Sequence, residues 1–82
     1  MRPKQFLETD KEVLDFIIRH KIENGGDSPT FRQIIDNTGA SSTSHVNAIL
    51  HKLDELGKIK FGAHQHRSII IPGMVVTYQG MP

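Results

Sequence analysis

The sequence contains no cysteine, which excludes disulfide bridges and thiolate metal sites and fits a reducing cytoplasm. It also has no apolar run long enough to span a membrane, and residues 1–4 lead into no apolar stretch of the kind that a secretory signal requires. We therefore expect a cytoplasmic protein with no membrane partner. The formal net charge is only +1, so the overall charge does not by itself indicate a nucleic-acid partner.

The sequence also lacks the residue patterns on which catalysis depends. It has no glycine-rich phosphate loop and no Ser/His/Asp arrangement, and we interpret Asp10, Glu12, Asp54 and Glu55 as solvated helix charges. A chain of 82 residues buries a modest core and has little room for a deep substrate pocket as well. We expect one domain that works through a binding surface, is not an enzyme, and uses no cofactor, metal or small-molecule substrate.

The charges are distributed unevenly along the chain. Residues 1–40 carry six Lys/Arg against seven Asp/Glu, whereas residues 41–82 carry four Lys/Arg against two Asp/Glu and four of the five histidines. Any cationic surface is therefore expected in the second half, where Lys52, Lys58, Lys60 and Arg67 lie.

A first helix is predicted where apolar residues recur every three or four positions, from about Leu7 to Asn24. Its apolar stripe consists of Val13, Leu14, Ile17, Ile18 and Ile22. Gly25 and Gly26 end this amphipathic helix.

Two further helices are separated by a tight turn. Thr30 and Gln33 have the spacing of a capping box and predict a short second helix over residues 31–37. The segment 38–41 contains Gly39, which we expect to adopt the positive φ of a sharp helix-turn-helix corner. The third helix follows a hydroxyl N-cap within residues 41–44 and extends to a C-cap at Gly57. Its apolar face consists of Val46, Ile49, Leu50, Leu53 and Leu56.

After Gly57 the sequence changes to patterns typical of strands. Residues 58–61 alternate polar and apolar, residues 62–66 form a loop, and residues 67–71 are rich in β-branched side chains, which predicts a hairpin ending at Pro72-Gly73. The predicted fold class is α+β and mainly α, a three-helix winged helix-turn-helix over residues 1–72 with a C-terminal β-hairpin wing. In the tail, residues 73–82, the segment 74–78 fits an extra strand, a partner-binding tail or a linker.

The first turn of the third helix is rich in hydrogen-bonding side chains. In a winged helix-turn-helix this turn reaches base edges in the major groove. A helix cap needs only one hydroxyl, so the additional polar residues indicate sequence reading. The predicted base-reading residues are Ser42, Thr43, Ser44, His45, Asn47 and His51.

A second group is predicted to contact the DNA backbone. Cationic side chains, and the amides at the start of the second helix, can bind phosphate oxygens without reading sequence. Taken alone, Ser41 also fits a simple helix cap, and Lys58 and Lys60 fit solvated strand lysines equally well. The predicted backbone and wing contacts are Thr30, Arg32, Ser41, Lys58, Lys60, His64, Gln65, His66 and Arg67.

The histidines also allow a metal-binding alternative. His64 and His66 could supply two ligands, with His45 or His51 as a third. No cysteine, carboxylate cluster or HExxH motif accompanies them, so we expect no metal site. Insensitivity of DNA binding to a chelator would eliminate this alternative.

Four runs in the chain resemble a known family. They are KEVLDFI at residues 11–17, GDSPTFRQI at 26–34, GASSTSHV at 39–46 and LHKLDELGKI at 50–59. Together these runs are similar to the N-terminal DNA-binding domain of LexA-type repressors, over about residues 6–71. The chain has Thr9-Asp10 where that family usually has Arg-Gln, and Ile35 where it usually has Ala, so the resemblance does not imply the same operator.

The resemblance implies recognition of a double-stranded operator. It places Arg32 near phosphate and turns a set of side chains of the third helix toward the groove, namely Ser42, Thr43, Ser44, His45 and Asn47. It does not imply self-cleavage, which in that family belongs to a C-terminal domain.

We therefore predict a sequence-specific transcriptional repressor or regulator that binds double-stranded DNA. A homodimer on a palindromic site is expected because one short recognition helix reads few base pairs, and Ile69–Tyr78 is the predicted dimer contact. The alternative function is a protein-protein interaction adaptor built on a winged helix, in which residues 74–78 add a strand to a partner's sheet. The low net charge favours this alternative, and the polar first turn of the third helix opposes it.

Overall fold

The computed structural model describes residues 5–61 and 69–73. Within them lie three helices and a small two-stranded antiparallel sheet, in the predicted order. The elements are α1 (Glu8–Glu23), α2 (Phe31–Asn37), α3 (Thr43–Glu55), β1 (Lys60–Phe61) and β2 (Ile69–Ile70). This is the predicted mainly helical α+β fold. None of these helices has both the length and the hydropathy needed to cross a membrane.

One apolar core joins the three helices to the hairpin. Burying one aliphatic or aromatic side chain of this kind contributes about 1.5–3 kcal/mol, so the core is the main source of stability. Phe61 pairs with Ile69 across the sheet on its buried side, and Lys60 pairs with Ile70 on its exposed side. The buried apolar residues are Val13, Ile17, Ile34, Ala40, Val46, Ile49, Leu50, Leu53, Ile59, Phe61 and Ile69.

The predicted helix boundaries are confirmed closely, and their capping chemistry is local. The Thr30 hydroxyl accepts from the Gln33 amide at 3.1 Å, and the Gln33 side chain accepts from the Thr30 amide at 2.8 Å, which is the predicted capping box. The Ser42 hydroxyl caps α3 by accepting from the His45 amide at 3.1 Å. Gly57, just past the end of α3, has φ +77°, a conformation that side-chain-bearing residues rarely adopt.

The apolar stripe of α1 differs from the prediction at its C-terminal end. Ile22 is 65% exposed, and Lys21 is buried in its place, four residues after Ile17. Lys21 continues the buried stripe because its aliphatic stem packs inward while its ammonium donates to the Gly26 carbonyl at 3.0 Å. Burial lowers the pKa of Lys21 below its usual value, and attraction to Asp27 partly offsets this shift.

The turn between α2 and α3 also differs from the prediction. Gly39 does not adopt a positive φ, so its role there is not conformational. Its amide instead donates to the Glu12 carboxylate of α1 at 2.9 Å, and a Cβ atom at Gly39 would lie only 3.1 Å from that oxygen. Glycine leaves room for this close approach. Glu12 is exposed on α1, as expected of a solvated helix charge, and it also binds the turn that leads into α3.

A buried ion pair connects α1 to α3. Asp10 is 2% exposed, and its carboxylate accepts from the Lys52 ammonium at 2.8 Å and from the Leu7 amide at 2.8 Å. The same carboxylate therefore caps the start of α1 and holds α3. The interpretation of Asp10 as a solvated charge was wrong, because its partner lies 42 residues away in the chain.

One hydroxyl connects the loop between α1 and α2 to the hairpin. The Ser28 hydroxyl accepts from the Ile69 amide at 3.0 Å and lies 3.3 Å from the Ile69 carbonyl, to which it donates. Ile69 thus has both of its backbone groups satisfied on the side away from β1. Ser28 supplies the hydrogen bonds that a third strand would otherwise make.

Replacing Lys52 with Ala should destabilise the fold by roughly 2–4 kcal/mol, because it leaves the Asp10 carboxylate buried without its countercharge. Urea denaturation followed by circular dichroism measures this change. Lys11→Ala is the matched control, since it breaks a pair of similar length, 3.0 Å to Asp15, that is open to solvent. Equal losses of stability in the two variants would contradict the role assigned to Asp10 and Lys52.

Replacing Ser28 with Ala should destabilise the fold by about 1–2 kcal/mol, because two backbone groups of Ile69 lose their partner. The loss should be accompanied by faster hydrogen exchange at the Ile69 amide, measured by NMR. Ser44→Ala, which removes an exposed hydroxyl from α3, serves as the control and should leave that exchange rate unchanged. An unchanged Ile69 exchange rate in Ser28→Ala would show that the hairpin does not depend on this hydroxyl.

Candidate nucleic-acid interface

One face of α3 is exposed, and the first nine residues of the helix include no Lys, Arg, Asp or Glu. Val46, Ile49 and Leu50 point into the core, and this leaves the opposite side of the helix to solvent. The exposed residues of this stretch are Thr43, Ser44, Asn47, Ala48 and His51. We call these five residues the α3 face.

The first turn of α3 holds its side chains in defined positions. The Ser42 hydroxyl is engaged in the helix cap, so this predicted base reader has a structural role as well. The half-buried His45 ring turns back toward the preceding turn, where its Nδ1 accepts from the Ser41 amide at 3.0 Å. The Ser41 hydroxyl also lies 3.2 Å from this nitrogen. Hydrogen bonding to Ser41 therefore holds the His45 ring against the turn that precedes α3.

Near the other end of the α3 face, His51 contacts the hairpin. Its ring meets that of Phe61 edge to face, with the ring centroids 5.3 Å apart. Phe61 in turn lies 6.4 Å from the Phe31 ring of α2. The α3 face is thus joined at His51 to the hairpin that is predicted to lie along the DNA backbone.

Ala48 is the one residue of the α3 face that the sequence analysis did not single out. It is exposed and lies four residues after Ser44 and three before His51, so the three share one line along the helix. This helical spacing indicates its place on the face, but its methyl side chain has no hydrogen-bonding group like those of the predicted base-reading residues. A methyl group at this place allows the helix backbone to approach a groove closely and can contact a thymine methyl.

The predicted cationic contacts differ in their surroundings. The Arg32 side chain is 82% exposed, but its Nε lies 3.6 Å from the Asp36 carboxylate on the same helix, which partly offsets its charge. The Lys58 ammonium lies 5.4 Å from the centroid of the Phe6 ring, a cation–π distance. Lys60 is exposed on β1, whereas Lys52, counted above in the cationic half, is paired with Asp10.

Of the remaining predicted contacts, one is already hydrogen-bonded within the fold and the others lie outside the described part of the chain. Thr30 uses both its hydroxyl and its amide in the capping box of α2. The wing-tip residues His64, Gln65, His66 and Arg67 lie outside the described residues. Within residues 5–61 and 69–73, no three His, Cys, Asp or Glu side chains form a group that could hold a metal ion.

Comparison with known proteins identifies the family. Residues 4–68 match the family described as the LexA DNA binding domain. The chain belongs to the LexA DNA-binding domain family. This membership confirms the predicted winged helix-turn-helix fold and the predicted DNA-binding function, and the match extends over nearly the residues on which the resemblance was based. Nothing in the comparisons supports the adaptor alternative.

Three similar proteins are each named LexA repressor. The chain is 35% identical over 68 residues to the protein of Caldicellulosiruptor saccharolyticus, covering 83% of this chain and 33% of the relative. It is 33% identical over 67 residues to that of Myxococcus xanthus, covering 82% of this chain and 30% of the relative. For the protein of Bifidobacterium adolescentis the identity is 39% over 70 residues, covering 83% of this chain and 27% of the relative. The chain thus spans a third or less of these repressors, and no solved structure matches it.

Proposed function

We propose that this LexA-family domain is a transcriptional repressor that binds an operator by placing α3 in the major groove of double-stranded DNA. The observation that carries the proposal is the α3 face, whose exposed side chains include no Lys, Arg, Asp or Glu and lie opposite an intact apolar face. A B-DNA major groove admits one α-helix, and its bases are distinguished there by their donors, acceptors and thymine methyl groups. Such a surface acts by binding, and we propose no catalytic step for it.

The side chains of the α3 face match the chemistry of base edges. Asn47 offers a donor and an acceptor together, the combination that pairs with adenine N7 and N6. Thr43 and Ser44 offer hydroxyls that can donate or accept, and Ala48 offers a methyl group. Because no carboxylate lies between Thr43 and His51, this stretch can approach the phosphates without repulsion from its own side chains.

The hairpin is proposed to contact the DNA backbone beside the groove. Lys60 is exposed on β1, one residue before Phe61, which contacts His51 at the end of the α3 face. A cation at this place can bind a phosphate and set the register of α3 without reading sequence. Arg32, Lys58 and the predicted wing-tip residues belong to the same proposal.

Two copies of the chain are proposed to bind an inverted repeat. The first two turns of α3 span only a few base pairs, which is too little to specify one site in a genome. Ile70, within the predicted dimer contact, is 54% exposed and supplies apolar surface for a second copy.

The decisive experiment is selection from random duplex DNA by the purified chain, performed at two salt concentrations. Enrichment of an inverted repeat, with affinity that falls steeply as salt rises, is the expected result, since phosphate contacts release counterions. If no motif is enriched and the affinity does not change with salt, the proposal is overturned, and binding to a protein partner is the alternative function.

Replacing Asn47 with Ala should relax the base preference at one position of the selected site by about 1–3 kcal/mol, because it removes the contacts that distinguish that base pair. Affinity for the selected site and its single-base variants measures this effect. An equal loss on every duplex would show that Asn47 does not read a base.

Replacing Lys60 with Ala should weaken binding to all duplexes alike and lower the salt slope by about one, because one phosphate contact is lost. Lys11→Ala is the matched control, since Lys11 is paired with Asp15 on α1 and should leave the slope unchanged. A Lys60→Ala variant with the salt slope of the unmodified chain would remove Lys60 from the backbone contacts.

A further inference from the structure

The position of the proton on the His45 ring follows from one hydrogen bond. The Ser41 backbone amide lies 3.0 Å from His45 Nδ1, and a backbone N–H can only donate. Nδ1 must therefore present its lone pair to this amide. In a neutral imidazole the other nitrogen, Nε2, then carries the proton and is a donor.

The surroundings of His45 hold this arrangement in place. The His45 amide donates to the Ser42 hydroxyl at 3.1 Å, so the backbone of this residue is fixed by the helix cap while its ring is fixed by Ser41. The Ser41 hydroxyl, 3.2 Å from Nδ1, can donate only to the same lone pair and does not alter the assignment. Because the ring is already ordered, binding a ligand costs less side-chain entropy.

We propose that His45 is a specificity-determining residue that presents Nε2–H as a donor and so selects a hydrogen-bond acceptor on a base edge. This inference rests on the proposed function and names the chemistry of one contact within it. In the major groove the acceptors are guanine O6 and N7, adenine N7 and thymine O4, whereas cytosine presents only its amino donor. His45 therefore disfavours cytosine at the position it contacts.

The first test is made on the free protein and needs no DNA. Long-range nitrogen–proton correlation NMR, at a pH where the ring is neutral, should show Nε2 protonated and Nδ1 unprotonated. Ser41→Ala keeps the amide and removes the hydroxyl, so it should leave this result unchanged. A proton on Nδ1 would overturn the proposal, whatever the DNA measurements show.

The second test measures affinity for the selected duplex and for variants that change one base at a time. At one position, the unmodified chain should bind about tenfold more weakly when the acceptor is replaced by cytosine. For purine positions, 7-deaza bases remove the N7 acceptor without disturbing base pairing and should weaken binding wherever N7 is the acceptor contacted.

His45→Ala should become indifferent to the base at that one position. His45→Gln should accept cytosine there as well, because its amide both donates and accepts. Thermal denaturation by circular dichroism verifies that both variants are folded, which we expect because the half-buried His45 ring lies outside the apolar core.

The outcomes separate this inference from the proposed function. If the unmodified chain selects a motif and both His45 variants keep its base preferences, the role of His45 is wrong and the proposed function stands. If His45→Ala loses affinity equally on every duplex, Nε2–H binds a phosphate oxygen, and the assignment to a base edge is overturned. If the unmodified chain selects no motif, both proposals fail together.

Discussion

The exposed face of α3 depends on a buried ion pair that holds the helix against α1. Asp10 is buried and accepts from both Lys52 and the Leu7 amide, so a single carboxylate begins one helix and anchors another. A charge removed from water in this way is stable only while its partners remain in place. The ion pair therefore restricts how α3 can pack against α1. The residues opposite the core contacts of α3 keep one orientation relative to the rest of the fold.

On either side of α2, a single polar side chain likewise joins two distant segments of the chain. Ser28 satisfies both backbone groups of Ile69 with one hydroxyl, and Glu12 reaches the Gly39 amide in the turn that leads into α3. Each contact joins segments that are distant in the chain and adjacent to the proposed interface. The helix that would enter the groove and the hairpin that would lie on the backbone are thus held by different polar contacts, around one shared apolar core.

Most of the helical architecture could be predicted because its causes are local. Each helix end is set by residues within one turn of it. Examples are the capping box of Thr30 and Gln33, the hydroxyl before α3 and the glycine after it. The predictions that failed concerned residues that bind a partner distant in the chain, or two neighbouring residues of which only one is buried. Lys21 takes the buried position four residues after Ile17 and donates to the Gly26 carbonyl, while its neighbour Ile22 is exposed. Gly39 leaves room for the Glu12 carboxylate and does not adopt a positive φ.

The sequence by itself determined the order of the elements, the apolar face of α3 and the polar character of its first turn, because periodicity and capping act over one or two helical turns. Only the tertiary structure decided that Asp10 pairs with Lys52 and that Ser28 completes the hydrogen bonding at the edge of the hairpin. It also showed the Ser41 amide bound to His45, a detail of backbone geometry that no spacing of residue types reveals. These contacts form only when the packed core brings their groups within hydrogen-bonding distance.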